Sequence, residues 1–261
     1  MGRMATWIRR VVFLLTALFV LPAALSVGWW ISLDRPGSWH DADWSSASIL
    51  LPAEAEPEAV IHIMAARTGG LKGALSTHSW IVTKRAGASA YDRYDKVGWG
   101  NPVRRNAYAA DARWYSNAPF FVKTVRGERA ALLIPKVEAA IATYPHSARG
   151  GYRIWPGPNS NSFVAHVLRQ VPELDATLPA TAVGRDYLAD GSAWGSFWHV
   201  DADGLDAKLS LAGYAGISAG MRSGLEINFL GLVAGVDVRH PALKLPGFGR
   251  LGFAATALAG E

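Results

Sequence analysis

The stretch WPGPNSNSF, Trp155 to Phe163, couples a stiff turn to a polar helix start and decides how the middle of the chain folds. Pro156 and Pro158 flank Gly157 and restrict the approach, and Asn159 is a strong N-cap type, so a helix is expected to open at Ser160. Beyond it Phe163, Val164, Val167, Leu168 and Val171 follow the i, i+1, i+4, i+5, i+8 rhythm of a buried helical stripe, which predicts a helix over Ser160 to Val171. A side chain at Ser160 sits in the positive end of the helix dipole beside unpaired backbone N–H groups, where a developing anion is stabilised. Asn159, Ser160 and Ser162 also serve as plain helix caps, so the pattern by itself leaves both roles open.

Upstream, Glu128 to Tyr144 carries Leu133, Val137, Ala140, Ile141 and Tyr144 at helical spacing, with Pro135 either opening the regular part or kinking it. Before that helix, Ala59 to Ala66, His78 to Lys84, Tyr91 to Trp99 and Trp114 to Arg126 read as strands, and Arg67 to Thr77 as a glycine-punctuated loop. Downstream, from Gly195 to Val238, alternating segments over Lys208 to Met221 and Leu225 to Val238 read as antiparallel strands around an Arg222-Ser223-Gly224 turn. The expected fold class is α+β: an N-terminal transmembrane helix, then one domain with an antiparallel sheet packed on two main helices.

The first 33 residues differ from the rest. Val11 to Leu33 is free of charge and as a helix would span roughly 35 Å, enough to cross the ~30 Å apolar core of a bilayer with some tilt. Arg9 and Arg10 precede it and Asp34 comes directly after it, so the positive-inside rule keeps residues 1–10 in the cytoplasm and exports the remainder of the chain. A cleaved signal peptide is the competing reading, with Pro22 and Ala24-Leu25-Ser26 as its cleavage region, but this apolar run outlasts a typical core of ~7 to 15 residues. The expected organisation is a cytoplasmic segment 1–10, an anchor 11–33, a linker 34–58 rich in Pro, Ser, Asp and Glu, and an exported domain 59–261.

The 261-residue chain carries a formal charge of +5, of which Arg3, Arg9 and Arg10 supply three in a segment without acids, leaving +2 from Asp34 onward. That is an ordinary surface and argues against a nucleic-acid partner. Cysteine is absent, which excludes disulfides, thiolate metal sites and a cysteine nucleophile. The seven histidines show no metal-ligand spacing, so neither a metal nor a cofactor is expected. Gly247 to Gly252 satisfies G-x-G-x-x-G, but the nine residues after it leave no room for a βαβ unit. Asp201 to Asp206 lacks the spacing of a calcium loop and reads as an acidic hairpin turn.

His78 opens an apolar strand and shares its face with Trp80 and Val82, where a histidine is commonly packed and hydrogen-bonded. His166, six positions after Ser160, faces away from it around the helix.

WPGPNSNSF, the IPKVEAAIATYP before it, the HSWIV strand and the closing LEINFLGLVAGVDVRHPALKLPGFGRLGF together resemble an uncharacterised proteobacterial family of membrane-anchored proteins, over roughly residues 59–253. A more distant likeness is to circularly permuted papain-like folds: the NlpC-like hydrolases, the lecithin retinol acyltransferase group and the deSUMOylating-type peptidases. This second resemblance places His78 where those folds hold their histidine and sets Asn159-Ser160-Asn161-Ser162-Phe163 over their Asn-Cys-Asn-x-Phe. Ser160 then takes the cysteine position. Serine cannot be pre-ionised as a thiol can, so catalysis would need His78 as general base with an oriented third group, for which Asp95 on the following strand is the candidate. Arg67 is the candidate for holding a carboxylate or phosphate of a ligand, and Asn159, Asn161 and Ser162 would line the same helix start.

Three readings remain open: a ligand-binding or degenerate hydrolase-like envelope domain, an active serine-dependent amidase, esterase or acyltransferase acting on an envelope peptide or lipid, and a structural partner in an envelope complex. The missing cysteine favours the first. All three place the chain in the inner membrane with its domain in the periplasm, in contact with the bilayer through the N-terminal helix.

Overall fold

The computed structural model describes residues 2–188 and 197–252, so Gly195, where the second run of strands is expected to open, lies outside the described residues. One continuous helix covers Gly2–Ile31 and is long and apolar enough to cross a membrane. It comprises α1 (Gly2–Leu15), a π-helical turn at Thr16–Val20 and α2 (Leu21–Ile31). Phe19, Pro22, Ser26 and Trp30 form one buried stripe along it. Ser26 Oγ donates to Ala74 O at 2.6 Å and Trp30 Nε1 to Gly70 O at 3.0 Å, which fastens the second half of the helix to the domain.

The first sheet is built from β1 (Val60–Arg67), β2 (Thr77–Lys84), β3 (Asp92–Lys96), β4 (Val103–Arg105) and β5 (Phe120–Arg126), ordered β4-β3-β2-β1-β5 and antiparallel throughout. Strand side chains alternate between faces, and both faces of this sheet are covered. On one, Ile61, Ile63, Ile81 and Tyr94 pack against α3 (Gly127–Ala142) and α4 (Ser160–Gln170) through Ile134, Val137, Phe163, Val164 and Val167. On the other, Met64, Ala66, Trp80, Val82, Val97 and Trp114 form a second core. Pro135 lies inside α3, which runs through it.

Two features differ from the sequence reading. Trp114 is expected to open a strand, yet β5 starts at Phe120, and Trp114 instead sits in a bend bridged to Asn117. Arg67 is expected in a loop and is the last residue of β1, paired with Thr77. Residues 34–58, expected as a linker, lie against the second core. Asp111 accepts from Ser46 Oγ at 2.6 Å and from the Ile49 and Leu50 backbone, and Trp44 packs edge-on against Trp114 at 5.0 Å.

The strands of the C-terminal region form a sheet of their own: β6 (Trp198–Val200), β7 (Asp206–Leu211), β8 (Ala215–Gly220), β9 (Gly224–Phe229), β10 (Leu232–Asp237), β11 (Ala242–Leu245) and β12 (Gly249–Gly252). They run as an antiparallel meander in sequence order. Asp201 to Asp206 makes the β6–β7 turn, and the second half of the G-x-G-x-x-G match is β12.

Candidate functional site

The start of α4 is held by its own side chains. Asn159 Oδ1 accepts from the backbone N–H of Asn161 at 2.9 Å and of Ser162 at 3.1 Å, while Ser162 Oγ accepts from the Asn159 N–H at 2.7 Å, a closed capping box. Asn159 Nδ2 donates to Ile154 O and Val183 O, and Asn161 Nδ2 to Thr77 O at 2.8 Å and Val183 O at 2.9 Å. These bonds tie the helix start to the first residue of β2. Gly184, at φ +95°, allows the close approach, because a methyl there would run into the Asn159 amide. Ser160 is buried in the first turn, and its hydroxyl makes no hydrogen bond among the described residues.

His78 is built into a different environment. Its Nε2 lies 3.0 Å from Asp95 Oδ1, and its ring stacks on Trp114 at 3.7 Å between centroids and 3° between planes. Asp95 also accepts from Arg93 Nε at 2.7 Å and Nη2 at 3.0 Å, while Arg93 Nη1 reaches Ala109 O at 2.8 Å and its guanidinium lies 4.1 Å over the Trp80 ring. The His78, Trp80, Arg93, Asp95 and Trp114 side chains are all buried. Burial pushes the His78 pKa down against the opposing pull of Asp95, so the imidazole is neutral and carries its proton on Nε2, facing the carboxylate. Burial alone would raise Asp95, but the Arg93 charge and the bonds from His78 and Arg93 outweigh it and hold the carboxyl below its usual range.

His78 and Asp95 are thus brought together, as are Asn159, Asn161 and Ser162 with the start of β2. The two groups occupy opposite sides of the sheet. α4 packs on the face of Ile81 and Tyr94, whereas His78 points with Trp80 into the core around Trp114, and no hydrogen bond joins it to Ser160. Arg67 lies apart from both: Nη1 donates to Gly73 O and Ala74 O at 3.1 and 3.0 Å, and Nη2 to Gly247 O at 2.5 Å.

Sequence reasoning missed Arg93, although Arg-x-Asp in a strand places Arg93 and Asp95 on one face by the period of two. It also missed a cavity of about 60 Å³ between α4 and the second sheet, lined among others by Leu168, Arg169, Leu178, His199, Asp201 and Arg222. Arg222 there is bridged to Asp175, Asp201 and Asp203, and Arg185 to Glu226. Arg169 makes no hydrogen bond or ion pair among the described residues, and burial lowers its pKa to about 10. No group of three or more His, Asp or Glu among the described residues is gathered to hold a metal.

No curated protein and no solved structure matches the chain. Residues 58–187, which hold the first sheet, α3, α4 and the whole of the His78 and Ser160 environments, match the family model described as Protein of unknown function (DUF3750).

Proposed function

We propose that this is a single-pass inner-membrane protein of the cell envelope. Residues 1–10 are cytoplasmic, and the periplasmic domain binds an envelope peptide or lipid without cleaving it. The observation that carries this reading is the placement of His78. Its donor nitrogen faces Asp95, its ring lies flat on Trp114, and it is on the far side of the sheet from the helix that presents Ser160. A serine hydroxyl needs a general base within hydrogen-bond reach, and none is hydrogen-bonded to it among the described residues. The cavity beside Arg169 has room for a few waters or for one small charged group, such as the carboxylate of a peptide or the phosphate of a lipid headgroup.

The second reading, a serine-dependent amidase, esterase or acyltransferase, is favoured by two observations. Ser160 Oγ is unpartnered at a helix N-terminus, and His78 Nδ1 makes no hydrogen bond among the described residues, so one imidazole nitrogen stays available as acceptor. A fluorophosphonate probe applied to the full-length protein in membranes separates the two. Absence of covalent labelling at Ser160 is expected; labelling that disappears in both Ser160→Ala and His78→Gln overturns the binding reading in favour of the enzyme.

A further inference from the structure

On the second sheet the usual sidedness is reversed. Strand pairing aligns Trp198, Leu209, Ile217, Ile227 and Ala234 in one row across β6 to β10, and a neighbouring row runs from Ala207 through Leu225 and Val236 to Leu251. These rows face away from the domain: Leu209 is 61% exposed and Ile217 50%. The alternating positions Ser218, Glu226, Asn228 and Lys244 are buried beneath, Glu226 bridged to Arg185 and Lys244, and Asn228 bonded to Asp186. Every described outward-facing residue of β6 to β12 is apolar, without a charge, amide or hydroxyl. Six interstrand spacings of about 4.8 Å and four residue steps of about 3.3 Å give a face of about 29 by 13 Å. A patch of roughly 400 Å² is as large as the largest on ordinary soluble monomers, and such patches mark contact surfaces.

We infer that this outer face is a lipid-contact surface, lying against the acyl region of the same membrane that the N-terminal helix enters. The inference rests on the reading of that helix as a membrane anchor. Continuity supports it: the helix lies across the same face, where Phe19 meets Phe229 edge-on at 6.0 Å and Ala234, in the middle of an outward row, is buried. Leu18, Leu21 and Leu25 of the helix remain exposed beside it, so the apolar surfaces of helix and sheet adjoin and a bilayer that receives one abuts the other. The chemistry fits lipid better than protein, because the face offers no polar side chain to orient a partner. Among the described residues the edge strands β6 and β12 are three and four residues long, which keeps the unpaired backbone they present to an apolar medium short. At the margins Trp198 is exposed, and Trp155 packs edge-on against Tyr214 at 4.8 Å, as aromatic residues do at a headgroup boundary.

Because the chain has no cysteine, single thiols can be placed at will. Full-length Ile217→Cys, Leu243→Cys, Val12→Cys and Leu132→Cys proteins, each labelled with an environment-sensitive fluorophore, are reconstituted in phosphatidylcholine vesicles carrying doxyl groups on the acyl chains. Val12 reports the anchor, and Leu132, exposed on α3, reports the water-facing side. Loss of most of the emission at Ile217, Leu243 and Val12, with Leu132 unaffected, is expected. Quenching at Val12 with aqueous iodide reaching Ile217 and Leu243 overturns the lipid contact and leaves the anchor standing. Labels at Ile217 and Leu243 shielded from both quenchers overturn it in favour of a protein partner or second copy, and no doxyl quenching at any site overturns anchor and contact together.

Discussion

The imidazole of His78 and the indole of Trp114 are stacked, 3.7 Å between centroids and 3° from parallel, although the two residues are 36 positions apart in sequence and Trp114 belongs to no strand. This stack closes one side of a buried network whose charges are Arg93 and Asp95. The network explains why a histidine at the start of an apolar strand is neutral, fixed in one tautomer and withdrawn from the helix that carries Ser160.

The Arg93–Asp95 pair sets the first prediction. Asp95→Ala leaves the Arg93 guanidinium uncompensated in a dry core, and breaking a buried pair from one side costs about 3–5 kcal/mol. Urea unfolding should show that loss, whereas the exposed pair Lys136–Glu173 should give less than about 1 kcal/mol when Lys136 is replaced by Ala.

Acid sensitivity arises from the buried histidines. Burial lowers His78, and it takes His62 and His166 each to about 4, whereas in the unfolded chain all three titrate near 6.5. Below that value the unfolded state binds more protons than the folded one, so their contribution is complete above about pH 6.5 and is lost as pH falls toward 4. For His62 and His166 it is on the order of 2–3 kcal/mol each. Stability measured from pH 7.5 to 4.5 should hold down to about pH 6.5 and fall below it, and Thr124→Val, which removes the hydroxyl at 2.9 Å from His62 Nδ1, should leave the direction unchanged.

Two substitutions in α4 separate packing from capping. Phe163 is fully buried between the sheet and Tyr144, so Phe163→Ala should cost about 3–5 kcal/mol. Asn159→Ala removes the cap, worth about 0.5–2 kcal/mol, and also strands the Ile154 carbonyl and takes one of two amide donors from the Val183 carbonyl. Its measured cost should therefore exceed that of an isolated cap.

Membrane topology is testable by fusion. With Arg9 and Arg10 before the apolar helix, a C-terminal alkaline phosphatase should be active, and a C-terminal fluorophore that matures only in the cytoplasm should be dark. The reverse pattern contradicts the periplasmic placement.

What could be read from the chain depended on how local each signal was. α4 was legible because its cap residue and its apolar stripe are both short-range, and the capping box and the buried Phe163, Val164 and Val167 result from that spacing. The alternation of β9 was visible too, but not which side faces inward. Leu225, Ile227 and Phe229 are exposed while Glu226 and Asn228 are buried, because Arg185, Lys244 and Asp186 reach in from distant segments to pair them. The association of His78 with Asp95 was suggested by adjacent strands, whereas Trp114 and Arg93 as its enclosure depend on long-range packing that no periodicity encodes. The sequence order of HSWIV and PNSNSF likewise said nothing of which face of β2 each would take.

The central claim, that His78 belongs to the Asp95–Arg93–Trp114 network and does not serve Ser160, is tested most directly by following the His78 ring resonances through a pH titration of the full-length protein and of Ser160→Ala. The account predicts a neutral imidazole with its proton on Nε2, titrating below 6.5, with a curve that the Ser160 substitution leaves unchanged. A His78 that titrates above 6.5, or whose titration moves when Ser160 is removed, would contradict it.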